Sequence, residues 1–333
     1  MQSKKRMMFL ALTLMLLAST ITLSVPITTA QDATIAFGLG QGQGDKLLAD
    51  LKGNLTAVGD YTFVDVYELT ETALDGVDVL VLGAVYGANF TEDEISAIGA
   101  WFATGEKGIW VGGDSDYYGL YQADNPNAVL EEIGSKLRVE ASAVEDPGSN
   151  AGSAYRVVAN VPNTEDSEVA DIVSGVTQAL FHGPDLVCGW GSYIPLDTET
   201  VENVFPVMST SDAGVINDKD LIGPYAHENA DTGNFVMMAA EIYAGPDENC
   251  KIIVSGASAY GDYQPICTNE YYGVPMEGMT LVVNAIVWLA TVLEKPAPPA
   301  PGIPGFPIEA LVIGIALTAA ALMVFRKEPK ISI

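Results

Sequence analysis

The sequence predicts an α/β fold in which a doubly wound, mostly parallel sheet is followed by a β-rich carboxy-terminal part and one carboxy-terminal transmembrane helix. Three observations carry this prediction. Short apolar runs alternate with amphipathic segments from residue 33 to about residue 137, strand-like runs dominate from there to residue 255, and a long apolar run stands near the end. Alternation of strands and helices is typical of a parallel sheet covered on both faces.

The first half of the chain supplies strands and helices in turn. Apolar or β-branched runs predict strands over 33–37, 61–66, 77–82 and 107–111. Helices are predicted near 47–55, between the second and third strands, over 92–104, and from Asn125 onward. Thr91 and Glu94 form a capping-box pattern, and Pro126 takes the favoured first position of the last helix. This order predicts a flavodoxin-like sheet.

The second half is richer in β-type runs. They cover 155–159, 179–181, 204–209, 234–243 and 251–255, and an amphipathic helix over 279–293 closes the fold. No linker separates 31–150 from 151–294, so we expect one extended domain over 31–294.

The two ends of the chain carry targeting signals. Residues 1–30 combine a basic start, an apolar run and small residues before Gln31, the pattern of a secretory signal peptide; an uncleaved anchor is the alternative. Residues 295–307 form a proline-rich linker. The apolar run 308–325 spans about 27 Å, enough for a transmembrane helix, and the basic residues of 326–333 place that tail in the cytoplasm.

The anchor segment resembles a known sorting signal. Pro304-Gly305-Phe306, followed by a hydrophobic stretch and basic residues, is similar to the carboxy-terminal signals of archaeal surface proteins. The resemblance implies that a membrane protease removes the segment and that a lipid takes its place. Either outcome predicts an ectodomain that is tethered at the cell surface.

Charge separates the ectodomain from the ends. The chain has 15 basic and 43 acidic residues and a net charge of −28. Seven of the basic and two of the acidic residues lie outside 31–294, which leaves the ectodomain near −33. Such a charge repels polyanions, so nucleic acid is excluded as a partner, and it attracts metal cations.

The layout of 31–294 resembles the class I glutamine amidotransferase-like superfamily, in particular its non-catalytic branches in gliding-motility and intraflagellar-transport proteins and in membrane-anchored prokaryotic proteins. The residues that carry the resemblance are VDVLVLGAV at 77–85, the helix near 92–104, GIWVGGDSDY at 108–117, FHGP at 181–184 and KIIVSGASAYGDY at 251–263.

Catalytic members of that superfamily place a nucleophilic cysteine on a tight turn after a strand. The matching segment here is Gly112 to Asp116, and it contains no cysteine. Ser115 would need a base, and neither His182 nor His227 has a spacing that indicates partnership with it. The resemblance therefore favours a domain without amidotransferase chemistry.

Several polar residues are expected to meet at the carboxyl edge of the sheet, where ligands of open α/β sheets bind. They follow predicted strands and form the candidate ligand site: Gly40, Gly42, Asp114, Ser115, Asp116, Tyr117, His182, Ser258, Tyr260 and Asp262. Tyr117, Tyr118, Tyr260 and Tyr263 offer flat faces to a sugar or a similar small ligand. The alternative is that the aspartates cap helices and the tyrosines pack the rim.

Two further patterns bear on ligands. The glycine-rich run 38–44 does not fit the G-x-G-x-x-G dinucleotide fingerprint, so it serves either as a turn or as the lip of a site for a neutral ligand. Asp114, Asp116 and Asp262, with backbone carbonyls, form a candidate Ca²⁺ site, although EF-hand spacing is absent.

Sequons at Asn54 and Asn89 permit N-glycosylation in an exported protein. Among the three cysteines, Cys188 with Cys267 is the predicted disulfide, since both are expected to follow strand ends.

These features lead to three hypotheses of function. The first is a surface-anchored, non-catalytic domain that binds an extracellular ligand or envelope protein, including a role as a transport accessory. The second is an extracellular hydrolase of glycans or peptides that uses acidic residues at the same edge. The third is a structural component of the cell envelope.

Overall fold

A computed structural model describes residues 32–115, 117, 121–218, 223 and 226–293. The described residues up to Val292 form one compact unit. Its helices are α1 (Leu48–Val58), α2 (Glu71–Leu74), α3 (Glu92–Phe102), α4 (Tyr121–Glu132) and α5 (Gly278–Ala290). Its strands are β1 (Ala33–Gly38), β2 (Tyr61–Val66), β3 (Val79–Leu82), β4 (Gly108–Gly112), β5 (Leu137–Val139), β6 (Val144–Glu145), β7 (Arg156–Ala159), β8 (Val161–Pro162), β9 (Ala179–His182), β10 (Val187–Gly189), β11 (Val204–Ser209), β12 (Gly214–Ile216), β13 (Thr232–Gly233), β14 (Val236–Ala244), β15 (Cys250–Ser255), β16 (Glu270–Tyr271) and β17 (Val274–Pro275).

The central sheet has eight strands in the order β2-β1-β3-β4-β15-β14-β11-β8. The first five are parallel to one another, and β14, β11 and β8 continue the sheet in antiparallel pairs. With β15 counted as the fifth parallel strand, the order is that of the flavodoxin-like doubly wound sheet. The predicted α/β fold with a mostly parallel sheet is confirmed.

Helices cover both faces of the sheet. Helices α1 and α5 contact each other, and α5 packs on β3, β4 and β15, while α2, α3 and α4 contact one another in series. Strand β3 is buried at all four residues because it has neighbours on both sides and helices above and below. The core includes Leu80, Trp101 and Leu130. Burial of such apolar area is the main term that stabilises the sheet.

The β-rich part, which lies between β5 and β14, adds small antiparallel sheets to this frame. They are the pairs β5 with β10 and β7 with β9, and the three strands β13, β12 and β6. This part of the chain returns to the central sheet through β11 and β14. It lies beside the carboxyl ends of the parallel strands and supplies one wall of the pocket described below.

Two helix starts test local sequence rules. At α3 the capping box forms as predicted, since the Thr91 side chain accepts from the backbone N–H of Glu94 and the Glu94 carboxylate accepts from that of Thr91. Helix α4 instead begins at Tyr121, and Pro126 lies inside it. Asn125, which was expected at this start, accepts the backbone N–H of Phe90 through its side chain and so joins α4 to the preceding loop.

The predicted disulfide is wrong, because all three cysteines are buried free thiols. The Sγ atom of Cys188 lies in the β5–β10 ribbon, 3.7 Å from the Arg138 carbonyl oxygen. Cys267 lies after β15, and its backbone N–H donates a hydrogen bond to the Ala259 carbonyl oxygen. Burial raises the pKa of its thiol to about 12. The two side chains have different neighbours and serve as small core residues.

The predicted signal peptide, linker, transmembrane segment and tail lie outside the described residues. Among the residues that the structure describes, no helix is both long and apolar enough to cross a bilayer.

Candidate functional site

A pocket of about 800 Å³ opens at the carboxyl edge of the parallel sheet. Its floor comes from the loops that follow β3, β4 and β15, and its wall from the β-rich part. The predicted edge is therefore the place where the structure has a cavity. Pockets of this volume are typical of small-ligand sites.

Two carboxyl groups and one tyrosine form the floor. Asp114 follows β4 and Asp262 follows β15, and because β4 and β15 are parallel neighbours the two loops leave the sheet side by side. The Tyr86 hydroxyl donates a hydrogen bond to Asp114 Oδ2, and Asp262 lies near enough for its charge to raise the pKa of that hydroxyl. The backbone N–H of Ser115 donates to Asp114 Oδ1 at 2.7 Å.

The floor favours protonated forms of these groups. Burial, together with the charge of Asp262, raises the pKa of Asp114 to about 8, and burial also raises the pKa of Asp262. Burial and the two carboxyl charges raise the pKa of Tyr86. Asp114 consequently keeps its proton near neutral pH, so the floor has both a donor and acceptors.

Aromatic rings surround His182 at the end of β9. Its ring centroid lies 5.6 Å from that of Tyr155, 5.4 Å from that of Tyr263 and 5.7 Å from that of Tyr271. Burial lowers the pKa of His182, although the charge of Asp262 opposes this, so the imidazole is neutral at pH 7. Neutral imidazole offers one donor and one acceptor to a ligand.

The wall is polar and comes from the β-rich part. Glu145 ends β6 and Asn217 follows β12, and the Asn217 side-chain amide donates to Glu145 Oε1 at 2.9 Å. Ser115 lies below them and Tyr117 at the rim, where Tyr117 is 56% exposed. The pocket thus combines tyrosine faces with acids, an amide and a hydroxyl.

Close backbone contact holds two of the edge loops together. A Cβ atom on Gly44 would lie 2.2 Å from the Gly261 carbonyl oxygen, and one on Gly261 would lie equally close to that of Gly44. Gly261 also has φ +81°, a conformation that side chains disfavour. These glycines place Asp262 beside the loop that follows β1.

Some residues predicted for the site lie outside the pocket. Gly40 packs on the Tyr67 carbonyl and Gly42 on the backbone of Gly87, so the glycine-rich run is a turn that joins loops. The Ser258 hydroxyl accepts from Ala84 N–H and donates to the Tyr260 carbonyl.

Tyr260, also predicted for the site, is fully buried. Its hydroxyl lies 2.7 Å from the Gly38 carbonyl oxygen and 3.0 Å from that of Val81. Both Ser258 and Tyr260 fix the ends of neighbouring strands.

The candidate metal site keeps only part of its predicted ligand set. Asp116 lies outside the described residues, while Asp114 and Asp262 come together at Tyr86. Within the described ranges no group of three histidine, cysteine or acidic side chains is placed to hold a metal ion. The Ca²⁺ site therefore stays a prediction.

His227 lies in a separate cluster and serves no base role toward Ser115. Its Nδ1 is 2.9 Å from Glu140 Oε1 and its Nε2 is 2.9 Å from Asp197 Oδ1. Burial opposes protonation, but the hydrogen bonds and charges of Asp197 and Glu140 outweigh it and raise the pKa of His227 to about 10. His227 is a doubly paired imidazolium.

The sequons both lie on the surface. Asn54 is exposed on α1, where its side chain donates to the Asp50 carbonyl oxygen. Asn89 is exposed in the loop after β3.

Sequence reasoning missed Tyr86, Glu145, Tyr155 and Asn217. Tyr86 follows a predicted central strand, so the rule that located Asp114 at the carboxyl edge also applies to it. The other three come from the β-rich part, whose position against the sheet depends on long-range packing that no local pattern shows.

Comparison with known proteins gives a fold likeness alone. No family model and no curated protein matches the chain. Among solved structures, a protein from Thermoplasma acidophilum described as a subunit of GMP synthase is 13% identical, with a TM-score of 0.36 over 78% of this chain and 96% of that one. PurLQS from Thermotoga maritima is 11% identical, with a TM-score of 0.38 over 78% of this chain and 100% of that one.

Proposed function

We propose that this protein is a surface-anchored, non-catalytic binding protein whose ectodomain holds an extracellular polar ligand at the carboxyl edge of its sheet. The observation that supports the proposal most is the floor of the pocket, where Tyr86 joins Asp114 and Asp262 beneath a rim of tyrosines. Directional polar groups beneath aromatic faces are the usual composition of a small-ligand site.

The cysteine content supports a binding role over amidotransferase chemistry. All three cysteines of the chain are described, all are buried, and none lines the pocket. Burial raises the pKa of Cys188 and of Cys250, so their thiolates are disfavoured. Surface anchoring rests on the sequence signals at the two ends, and a transport accessory is one role that such a protein fills.

A binding screen on the full-length protein in neutral detergent tests the proposal. Glycans, peptides and Ca²⁺ are titrated into wild type, Asp262→Asn and Asp60→Asn. Asp60 is exposed and precedes β2 at the opposite edge of the sheet, so D60N is the matched control. We expect one ligand class to bind wild type and D60N equally and D262N at least about tenfold more weakly. Binding of no class, or equal binding by D262N, contradicts the proposal.

A hydrolase of glycans is the second candidate, and one observation favours it. Burial raises the pKa of both Asp114 and Asp262, and Asp114, with a pKa of about 8, keeps a proton that a general acid could donate beside a second carboxyl group. Release of reducing ends from oligosaccharides that is lost in D114N and D262N, and kept in D60N, would establish this activity. The binding proposal expects no such release.

A further inference from the structure

A row of aromatic side chains leads out of the pocket along one side. It starts at His182, which lines the pocket, passes through Tyr271 at 5.7 Å between ring centroids, and reaches Tyr272 at a further 4.6 Å. Tyr155 flanks the same histidine, 5.6 Å away. We call Tyr155, Tyr271 and Tyr272 the aromatic rim.

Two members of the aromatic rim are exposed, Tyr271 is half-buried, and all three rings are held in place. Tyr155 is 42% exposed and Tyr272 is 65% exposed. The Arg156 guanidinium lies 4.1 Å from the ring centroid of Tyr272 and 5.0 Å from that of Tyr155, and it donates to the Tyr155 hydroxyl at 2.9 Å. An arginine stacked against these rings restricts their orientation, while Tyr155 and Tyr272 keep much of their surface exposed.

The backbone at Tyr272 is unfavourable for a tyrosine. Tyr272 and Gly273 are the two turn residues of the β16–β17 hairpin, with φ of 50° and 77°. A two-residue turn with both φ values positive prefers Asn-Gly, because a bulky side chain disfavours the left-handed region. The turn itself therefore does not favour a tyrosine at its tip, where the ring lies against Arg156 and Tyr271 and the residue stays 65% exposed.

The pocket chemistry narrows the ligand class. Asp262 and Glu145 line it, and no lysine or arginine is among the described lining residues, so the pocket offers an anionic group acidic neighbours and no cationic partner. Ser115, Asn217 and His182 add hydrogen-bond donors and acceptors to the lining. A simple cation accepts no hydrogen bond, so it would leave the donors without a partner. A molecule with many hydroxyl groups and apolar ring faces satisfies both the polar groups and the tyrosines.

We infer that the ligand is a neutral oligosaccharide: one sugar unit occupies the pocket over Asp114 and Asp262, and the following units stack on the aromatic rim as far as Tyr272. This inference rests on the proposed binding function and adds its ligand class and a second contact surface. Each sugar ring presents C–H groups to a tyrosine face and hydroxyl groups to the polar side chains.

The test compares sugar length in two matched variants of the full-length protein in neutral detergent. Tyr272→Asn removes the rim ring and places Asn where the turn favours it. Tyr67→Asn is the control, since Tyr67 is 66% exposed and does not line the pocket. The probes are glucose, mannose, galactose and N-acetylglucosamine, a tetrasaccharide of each, and tetragalacturonate as an anionic probe, all measured by titration calorimetry.

We expect at least one tetrasaccharide to bind about fivefold or more tightly than its monosaccharide. Y272N should remove that gain and leave the monosaccharide affinity unchanged, whereas Y67N should keep both. D262N should weaken the two ligands by similar factors, and tetragalacturonate should bind weakest. The melting temperature of Y272N should equal or exceed that of wild type, which a purely structural role for Tyr272 does not predict.

Other outcomes separate this inference from the proposed function. Equal affinity for short and long sugars, or a length gain that Y272N retains, overturns the aromatic rim as a contact surface while the pocket stands. Binding of peptides or Ca²⁺ in the screen described above, with no sugar binding, overturns the ligand class and keeps the proposed function. Binding of none of these probes contradicts both.

Discussion

At the scale of single residues, the most consequential arrangement is the hydroxyl of Tyr86 between two acids. Asp114 is buried and lies beside Asp262, so its ionisation is disfavoured in the folded protein. The unfolded chain carries the same carboxyl in water, where it ionises near its ordinary pKa of about 4. Above its unfolded pKa, Asp114 therefore lowers the free energy of unfolding, although its side chain makes the pocket floor polar.

Asp114→Asn tests this effect of Asp114 on the free energy of unfolding. Between about pH 4 and pH 8 the folded protein keeps a proton on Asp114 that the unfolded chain releases, so the free energy of unfolding falls as pH rises over this window. We expect D114N to exceed wild type by at least about 1 kcal/mol at pH 8.5, with a smaller difference at pH 4.5. Urea unfolding at the two pH values measures this, and D114N that is less stable at both would contradict the assignment.

His227 shows the opposite sign. Its folded pKa of about 10 lies above its unfolded value, so its contribution is fully present below about pH 6.5 and is lost as pH rises toward 10. His227→Gln leaves Glu140 buried without its cationic partner, and we expect a loss of about 3 kcal/mol at pH 6. Thermal unfolding as a function of pH checks this. A loss that does not shrink toward pH 10 would show that packing against Phe235, rather than charge, holds the site.

At the scale of elements, the ends of β1 and β3 are joined by a single side chain. The Tyr260 hydroxyl bonds the last carbonyl of β1, that of Gly38, and the Val81 carbonyl near the end of β3. Tyr260→Phe removes this donor from a buried place, and we expect a loss of about 1–3 kcal/mol in the free energy of unfolding. Ligand affinity should change less than twofold, because Tyr260 does not line the pocket.

Chemical denaturation and calorimetry measure the two quantities for Y260F. The control is Tyr67→Phe, since Tyr67 is exposed and its change should leave both quantities as in wild type. A Y260F protein of normal stability with weakened binding would place Tyr260 in the ligand site after all.

Local patterns predicted the elements of the first half well, and the reason is physical. Strand β2 was predicted over 61–66 and α3 from its capping box, since both depend on near neighbours in the chain. The start of α4 was missed, since Asn125, which was predicted there, lies inside the helix and its side chain accepts a hydrogen bond from the Phe90 backbone N–H, 35 positions away. The pocket wall was missed for the same reason: Glu145 and Asn217 meet only through strand pairing between β6 and β12.

At the scale of the whole molecule, the fold is stabilised by burial and needs no covalent link between its parts. Cys188, Cys250 and Cys267 are each at most 1% exposed and free. We expect a thiol reagent such as dithionitrobenzoate to titrate no thiol in the native protein and three in denaturant without reductant. Stability should be the same with and without reductant. Only one reactive thiol in denaturant would reveal a disulfide.

Residues 31–294 combine a high negative charge with a pocket that is rich in tyrosines. The charge near −33 repels polyanions, while the tyrosines around the pocket offer apolar ring faces to a ligand. An envelope protein with a purely structural role has no need for a cavity of about 800 Å³ with a partly protonated floor.

The central claim is that the carboxyl edge of the sheet binds the ligand, and hydrogen–deuterium exchange on the full-length protein tests it most directly. With the tightest-binding tetrasaccharide present, slowed exchange is predicted in the loops 83–90 and 256–265, in residues 113–115 and in the hairpin 270–275. Exchange in α1 and at the amino ends of the parallel strands should stay unchanged. Slowed exchange that is confined to α1, to the amino ends of the parallel strands or to the β5–β10 ribbon would contradict the claim.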